Sequence, residues 1–148
     1  MNAYPMFIIN VEAAIYNSGK WLIIRRGEQE SHAAGLLSLV GGKVEHSEIE
    51  LDVLENALER EVMEEVGIVI NNPIYIYSNY FTFDSDKHVV NIVFACSYQE
   101  GNEMPIIKSK EEIDEIKWMS SEEINQNSNA PNYLKESIQR CENRMLGI

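Results

Sequence analysis

Three glutamates near the middle of the chain have the residue type and spacing of a metal site. Glu61, Glu64 and Glu65 precede Gly67, and at about 100° per helical residue their carboxylates fit within about a third of the helix circumference. Gly67 is typical of the left-handed residue that ends a helix, which places the acids at the negative end of the helix dipole. Each anion there costs roughly 0.3–1 kcal/mol, so a positive partner should offset the charge.

A divalent cation with oxygen ligands is the natural partner for this cluster. Arg60 reaches Glu64 at i+4, but a single guanidinium leaves the three carboxylates anionic. Because carboxylate oxygens suit Mg²⁺ and Mn²⁺, we predict a Mg²⁺ site that also accepts Mn²⁺. The competing interpretation is a solvated helix face, which is the commoner reason for a run of glutamates.

The position of the acids on their helix favours the metal site. In a helix that begins at about Leu51, the residues Leu54, Leu58, Glu61 and Glu65 recur at i, i+4, i+7 and i+11. This spacing forms a seam that should face the protein body. The acids therefore continue a buried stripe, whereas a solvated acidic face would point away from it.

Two adjacent glycines, Gly41 and Gly42, lie upstream in the segment from Val40 to Glu45. Glycine permits positive φ and a close approach of the main chain to a ligand. We therefore predict a glycine loop here whose backbone joins the metal or phosphate shell.

The spacing of these residues resembles the box of the Nudix hydrolases. In that box a glycine is followed six residues later by a glutamate and, after a spacer of seven residues, by Arg-Glu-apolar-x-Glu-Glu-x-Gly-apolar. Gly42 and Glu48 supply the first half, and residues 60–68 match the second half at every defined position. The chain departs from the pattern in its eleven-residue spacer and in Ser47, where glycine is most common. The four extra residues, about one helical turn, either lengthen the helix at its start or enlarge the preceding loop.

The resemblance implies an α/β (α+β) fold, an α/β/α sandwich in which a mixed sheet lies between helices, with residues 1–148 as one domain. The order of predicted elements agrees with this fold. Apolar segments predict strands at 6–16, 21–26, 36–40, 74–83, 88–98 and 113–119. Asn17 to Gly19 joins the first two as a hairpin, and Asn71 to Pro73 is predicted to break the chain. Ser120 caps a short helix, and a last helix runs from about Asn132 to Met145.

The resemblance also implies a reaction. Nudix hydrolases cleave a nucleoside diphosphate linked to a group X, giving a nucleoside monophosphate and phosphoryl-X. Their substrates include nucleoside triphosphates, ADP-ribose, nucleotide sugars and dinucleoside polyphosphates, and the box does not identify X. Metal ions neutralise the phosphate oxygens and lower the pKa of a coordinated water. The expected partner is therefore a small phosphorylated nucleotide.

The same resemblance assigns roles to the acidic helix and its surroundings. Glu61 and Glu65 are the expected metal ligands and Glu64 is a third, while the backbone at Gly42 completes the shell. Arg60 is expected to orient Glu64 for catalysis.

A general base and the substrate-binding cations are expected outside the box. A glutamate from a later loop often acts as the base in this family, and Glu111 and Glu112 are the candidates, with Glu103 behind them. The base needs burial or a neighbouring acid to bring its pKa near neutrality.

Arg25 and Arg26 end the second predicted strand and, with Lys43, are expected to face the substrate's phosphates. For the two arginines, an ordinary surface position is the alternative. The aromatic residues of strand 74–83 either stack on a base or belong to the core.

Composition and charge exclude other classes of protein. A chain of 148 residues that is 45% hydrophobic predicts one globular domain. A net charge of −12 argues against a nucleic-acid polymer or an anionic membrane as partner. Cys96 and Cys141 are interpreted as reduced core thiols. The absence of a long apolar run or a signal-peptide pattern at residues 1–5 predicts a cytoplasmic protein. A homodimer is compatible with the resemblance.

Two other functions remain compatible with these patterns. One is a catalytically silent nucleotide-binding or regulatory module on the same fold, which would tolerate Glu64→Gln or Glu65→Gln. The other is an acidic helix that serves as a protein-interaction surface, which would show no saturable binding of Mg²⁺ or Mn²⁺.

Overall fold

The computed structural model describes residues 4–46, 50–99, 101 and 103–147. Within these residues seven strands form one mixed sheet with three helices, which confirms the predicted fold class. The strands are β1 (Ile8–Asn17), β2 (Lys20–Arg26), β3 (Leu37–Ser38), β4 (Val40–Lys43), β5 (Ile70–Phe83), β6 (Lys87–Tyr98) and β7 (Ile113–Met119). The helices are α1 (Val53–Val66), α2 (Ser121–Gln126) and α3 (Asn132–Leu146). Ser47, Glu48 and Ile49 of the box and Met1 to Ala3 lie outside the described residues.

Strand β1 is the centre of the sheet, and two strands share one of its edges. β2 pairs with β1 only at Tyr16 and Asn17, while β4 pairs with it from Asn10 to Ala13. On the other edge β6 runs parallel to β1 along almost its whole length, and β5 continues the sheet beyond β6. β7 joins the far side of β2. Because β2 and β4 meet different parts of β1, the sheet opens between them, and this opening positions the site.

The alternation of side chains along β1 builds a core on each face of the sheet. Val11, Ala13 and Ile15 pack with Leu58 and Val62 of α1. Ala14 points to the opposite face, where Leu134, Ile138 and Cys141 of α3 cover it. Both cysteines are buried free thiols, as predicted.

The predicted start and stop signals are confirmed at three places. The hairpin from β1 to β2 turns at Ser18 (φ 51) and Gly19 (φ 86), the positive pair of a two-residue loop. Gly67 ends α1 in the left-handed conformation (φ 73), and its N–H donates to the carbonyls of Val62 and Met63. Ser120 and Glu123 form the capping box of α2.

The prediction that Asn71 to Pro73 breaks the chain is wrong, because these residues lie inside β5. The pairing with β6 shifts register between Asn71 and Ile74, and Asn72 takes a left-handed φ of 48. β5 is the edge strand, so the missing N–H of Pro73 leaves the ladder with β6 intact. The segment is a β-bulge in one long strand.

The prediction of a glycine loop is also wrong. Gly41 and Gly42 lie within β4, paired with Glu12 and Val11, and neither has a positive φ. Because they have no side chain, these glycines let neighbouring groups lie close to the main chain of β4. Helix α1 begins at Val53, so residues 50–52 of the spacer belong to the segment before the helix.

In the described part of the chain, no helix is long and apolar enough to cross a membrane.

Candidate active site

The seam of α1 carries two of the predicted acids to the protein body. Leu58 is fully buried and Glu65 is only 8% exposed. The backbone N–H of Gly41 hydrogen bonds to the Glu65 carboxyl, yet Oε1 of Glu65 is buried without a partner among the described residues. An unpaired buried carboxylate oxygen is costly, so this position favours a proton or a cation.

Gly42 is the residue that gives Glu61 its position. A Cβ at Gly42 would overlap the whole Glu61 carboxyl group, including Cδ and both oxygens. Only glycine therefore allows the carboxyl to lie against β4, directly over the main chain. The adjacent Gly41 faces β1, where a Cβ would overlap the carbonyl oxygen of Val11.

Arg60 fastens the end of α1 to β4. Its Nη1 donates to Oε1 of Glu61 at 2.9 Å and to Oε2 of Glu64 at 3.3 Å, and its Nη2 donates to the carbonyl oxygen of Lys43 at 3.1 Å. The side chain of Glu64 is 58% exposed, while that of Glu61 is 12% exposed. Arg60 thus orients Glu61 as well as Glu64, and Glu61 is the one that points inward.

A strap from Ile106 to Glu112 brings a fourth acid to the helix end. The N–H groups of Ile106 and Lys108 donate to the carbonyls of Val66 and Glu65 at 3.0 and 2.9 Å, satisfying orphan acceptors of α1. Ser109 Oγ donates to Oε2 of Glu112 at 3.0 Å. The carboxyl of Glu112 hydrogen bonds to that of Glu65.

Of the two candidates for the base, the structure brings Glu112 to the acidic cluster and leaves Glu111 outside it. The carbonyl oxygen of Glu112 accepts from the N–H of Gly27 at 2.8 Å, which holds the strap against the end of β2. Both glutamates are exposed, but no side-chain contact joins Glu111 to Glu61 or Glu65 among the described residues.

Burial raises the pKa values of Glu61 and Glu65, and the neighbouring acids add to the rise. Burial, together with the hydrogen bond to Glu112 and the charges of Glu61 and Glu112, raises the pKa of Glu65 to about 9, and the N–H of Gly41 opposes the shift. Burial raises the pKa of Glu61, and the Arg60 guanidinium opposes the rise. With its pKa this high, the Glu65 carboxyl holds a proton at neutral pH when no cation is bound.

The donor set fits a hard divalent cation. In the described part of the chain no three acidic, histidine or cysteine side chains already converge as a ready cage. The orphaned Oε1 of Glu65 nevertheless offers a buried ligand oxygen, and the Glu61 carboxyl faces the same opening. A cation that replaced the proton of Glu65 would offset the charges of Glu65 and Glu61, and oxygen ligands suit Mg²⁺ or Mn²⁺.

A cavity of about 760 Å³ opens beside these acids, between β2 and the half of the sheet built on β1, β4, β5 and β6. The predicted site residues in its lining are Arg26, Gly42, Lys43, Glu61, Glu65 and Glu112. Those outside its lining are Arg25, Arg60, Glu64 and Glu111. Arg25 is directed to β7, where Nη2 lies 3.5 Å from Oε1 of Glu115. Arg26 donates Nε to the carbonyl of His32 at 2.9 Å.

The sequence reasoning missed a polar group in the same cavity, formed by Asn10, Glu12, Asn79, Asn91 and His32. The available signal was the i, i+2 spacing of Asn10 and Glu12 inside an apolar strand, which puts both side chains on one face. Asn91 interrupts the apolar β6 in the same way. The three strands meet only in the folded chain, so no local pattern joins these residues.

The raised pKa of Glu65 predicts how the metal-free protein responds to pH. The folded chain keeps a proton up to about pH 9, whereas the unfolded chain releases it near pH 4.3. This contribution to stability is therefore full below about pH 4 and is lost as the pH rises toward 9. With chelator present, we expect the thermal midpoint to fall by at least about 3 °C between about pH 6 and 8.5, the shift that roughly 1 kcal/mol produces.

Glu65→Gln is the matched variant for this measurement, since it removes the titrating group and keeps the side-chain volume. We expect the variant to lose most of the decline. An equal decline in both proteins would show that other groups cause it.

Comparisons with known proteins agree with the fold and the box. A sequence model of the NUDIX domain matches residues 6–141. Among curated proteins, the chain is 28% identical over 117 residues to the NAD-capped RNA hydrolase NudC of Haemophilus influenzae, covering 79% of this chain and 40% of that protein. The chain thus spans less than half the length of these curated relatives.

Solved structures give the same result. The MutT protein of Methanosarcina mazei Go1 superposes with a TM-score of 0.75 at 29% identity, covering 97% of this chain and 98% of that one. The MutT NUDIX hydrolase of Burkholderia pseudomallei superposes with a TM-score of 0.76 at 20% identity, covering 92% and 98%. At 20% identity, the match to the Burkholderia pseudomallei protein shows a shared fold.

Proposed function

Because this chain belongs to the NUDIX family, we propose that it is a metal-dependent pyrophosphohydrolase. Its substrate is a nucleoside diphosphate linked to a group X, and its products are a nucleoside monophosphate and phosphoryl-X. Nudix hydrolases generally use divalent metals, and Mg²⁺, with Mn²⁺ as a substitute, is the ion that an all-oxygen site prefers.

The observation that carries the proposal is the buried, unpaired Oε1 of Glu65 at the edge of a cavity large enough for a nucleotide. The charges of Glu61, one turn earlier on α1, and of Glu112 on the strap both act on the same carboxyl. A purely structural acidic helix would have no reason to bury a carboxylate oxygen without a partner.

Each residue then has a role set by its position. Glu61 and Glu65 would hold the cation, with Gly42 giving Glu61 room and Arg60 orienting it. When bound, the cation supplies positive charge to the phosphate oxygens and lowers the pKa of a coordinated water. Lys43 and Arg26 add positive charge along the cavity wall.

Glu112 is our choice for the general base. Ser109 holds one of its oxygens, so the carboxylate is oriented toward Glu65 and the cavity. It would accept a proton from the attacking water as a new phosphorus–oxygen bond forms and the bridging oxygen leaves with the other phosphate.

The direct test is product release from nucleoside triphosphates, ADP-ribose, nucleotide sugars and dinucleoside polyphosphates. We expect at least one class to be cleaved with Mg²⁺ or Mn²⁺. Excess chelator should abolish cleavage, and restored metal should recover it, since the acids alone cannot neutralise the phosphate. Cleavage in chelator, or no cleavage despite saturable metal binding, would overturn the proposal, and the latter would favour the silent binding module.

The pH profile should rise toward alkaline values. Extra hydroxide favours the attacking species, and the proton held by Glu65 must leave before the cation can take its place. We expect turnover of the cleaved substrate to increase between about pH 7 and 9. A maximum below pH 6 at saturating metal would contradict this assignment.

A further inference from the structure

Three asparagines lie side by side across the sheet at the cavity. Asn91 of β6 is in register with Asn10 of β1 on one side and with Asn79 of β5 on the other. Asn10 Nδ2 donates to Asn91 Oδ1 at 2.8 Å, and Asn91 Nδ2 donates to Asn79 Oδ1 at 3.1 Å. Asn91 Nδ2 also donates to Oε1 of Glu12 at 2.8 Å.

These bonds use the full donor capacity of Asn91 and orient its neighbours. An asparagine amide has two N–H donors, and Asn91 directs one to Glu12 and one to Asn79. Asn91 is buried, while Glu12 and Asn79 are partly open to the cavity. Burial raises the pKa of Glu12, while the hydrogen bond from Asn91 and the charge of Arg26 oppose the rise and favour the carboxylate. In that ionised form Glu12 offers its second oxygen as an acceptor, and Asn79 offers the N–H groups of its amide as donors. The network is built to present one acceptor beside one donor.

The walls of the cavity near this network are aromatic. The His32 ring stacks on Phe81 with ring centroids 5.4 Å apart and an interplanar angle of 5°, and it lies 5.6 Å from Phe83. Flat polar ligands are held by aromatic faces together with hydrogen bonds to their edges. The combination fits a heteroaromatic base better than it fits a sugar or a phosphate.

The network is one strand away from the acidic cluster. Glu12 is the cross-strand partner of Gly41, and the N–H of Gly41 reaches the Glu65 carboxyl. A substrate whose phosphates lie at Glu61 and Glu65 would therefore extend its base past β4 to Glu12. With its phosphates held there, the base could not shift along the row of polar side chains. Each hydrogen-bonding group on the edge of the base would therefore face one protein group.

We propose that this cavity selects nucleotides whose base carries an exocyclic amino group beside a ring-nitrogen acceptor, as adenine and cytosine do. The proposal rests on the proposed function and names its substrate class. Glu12 accepts from the amino group, and Asn79 donates to the ring nitrogen beside it. Hypoxanthine and uracil present a carbonyl oxygen at the amino position, which would face the Glu12 carboxylate with no hydrogen between them.

The test compares kcat/KM for two isosteric pairs, ATP with ITP and CTP with UTP. The phosphates are the same within each pair, so the ratio reports the base alone. We expect the amino member of each pair to be favoured by at least about tenfold, since a site that pairs with a donor rejects the analogue that lacks it. If the two members of each pair are cleaved at rates within about twofold, the inference fails and the hydrolase assignment stands.

Glu12→Gln is the decisive variant. The glutamine oxygen still accepts from Asn91, while its new N–H donates to a carbonyl on the base, so we expect both ratios to fall to within about threefold of unity. Glu122→Gln, an exposed glutamate of α2 outside the cavity, is the matched control and should keep the ratios of the parent protein. Unchanged ratios in a folded Glu12→Gln protein would overturn the assignment.

A second variant and a binding measurement test the inference if Glu12→Gln does not fold or if no substrate is cleaved. Asn79→Ala lies on the edge strand β5, removes the donor without burying a charge, and should also lower both ratios. Calorimetric titration with AMP against IMP, and CMP against UMP, measures base preference without turnover. Preferential binding of AMP and CMP would support the inference even if no substrate were cleaved, whereas equal binding within each pair would overturn it.

Discussion

Glu65→Gln and Glu61→Gln should each lower turnover by at least about tenfold at saturating metal. In the structure these two acids lie against β4, one with an unpaired oxygen and the other over Gly42. Glutamine keeps the volume and loses the negative charge that a cation needs, so the loss should appear in kcat and in the metal concentration for half-maximal activity.

Glu55→Gln is the matched control for this experiment. Glu55 lies on the same helix, in its first turn, and does not line the cavity. We expect its turnover to stay within about twofold of the parent chain, because its side chain neither lines the cavity nor is assigned to the cation. Equal activity of the three variants, measured with the cleaved substrate and Mg²⁺, would remove Glu61 and Glu65 from the site.

Gly42→Ala should mainly lower turnover, whereas Gly41→Ala should mainly lower stability. At Gly42 a Cβ would displace the Glu61 carboxyl, the movable end of a long side chain. We therefore expect Gly42→Ala to lose at least about tenfold in kcat and less than about 1 kcal/mol in the free energy of unfolding. At Gly41 a Cβ would meet the carbonyl oxygen of Val11 and lie 2.9 Å from the Cα of Glu12, which are both backbone atoms.

Backbone cannot yield as a side chain does, so Gly41→Ala has to separate β4 from β1. We expect a loss of at least about 2 kcal/mol in the free energy of unfolding, in the range of overpacked cores. Denaturant unfolding of both variants, with turnover of the fraction that remains folded, separates the two effects. A Gly42→Ala protein that is fully active would show that the Glu61 carboxyl is not needed where the structure places it.

Much of the site was readable from the sequence because it lies on one helix. Local spacing alone determines which residues share a helix face, and it correctly placed Leu58, Glu61 and Glu65 on the inward seam. Gly67 ends α1 at the predicted position, because glycine readily takes the left-handed conformation that ends a helix. The hairpin at Ser18-Gly19 and the capping box at Ser120 were local for the same reason.

Residues from different elements could not be placed in this way. Glu111 and Glu112 are equivalent in a sequence pattern, and only the bonds from the strap to α1 and to Gly27 bring Glu112 to Glu65. Arg25 and Arg26 differ in the same manner, because alternation along β2 sends neighbouring side chains to opposite faces.

The polar network of the cavity depends on the register of β1, β5 and β6, which the tertiary structure sets. Asn10, Asn79 and Asn91 are far apart in the chain, and a one-residue slip in either pairing would send one of them to the other face. The sequence by itself thus determined the acidic helix, its seam and its family resemblance. Only the folded sheet decided which polar side chains meet in the cavity, because a hydrogen-bond pattern across three strands exists only once their register is set.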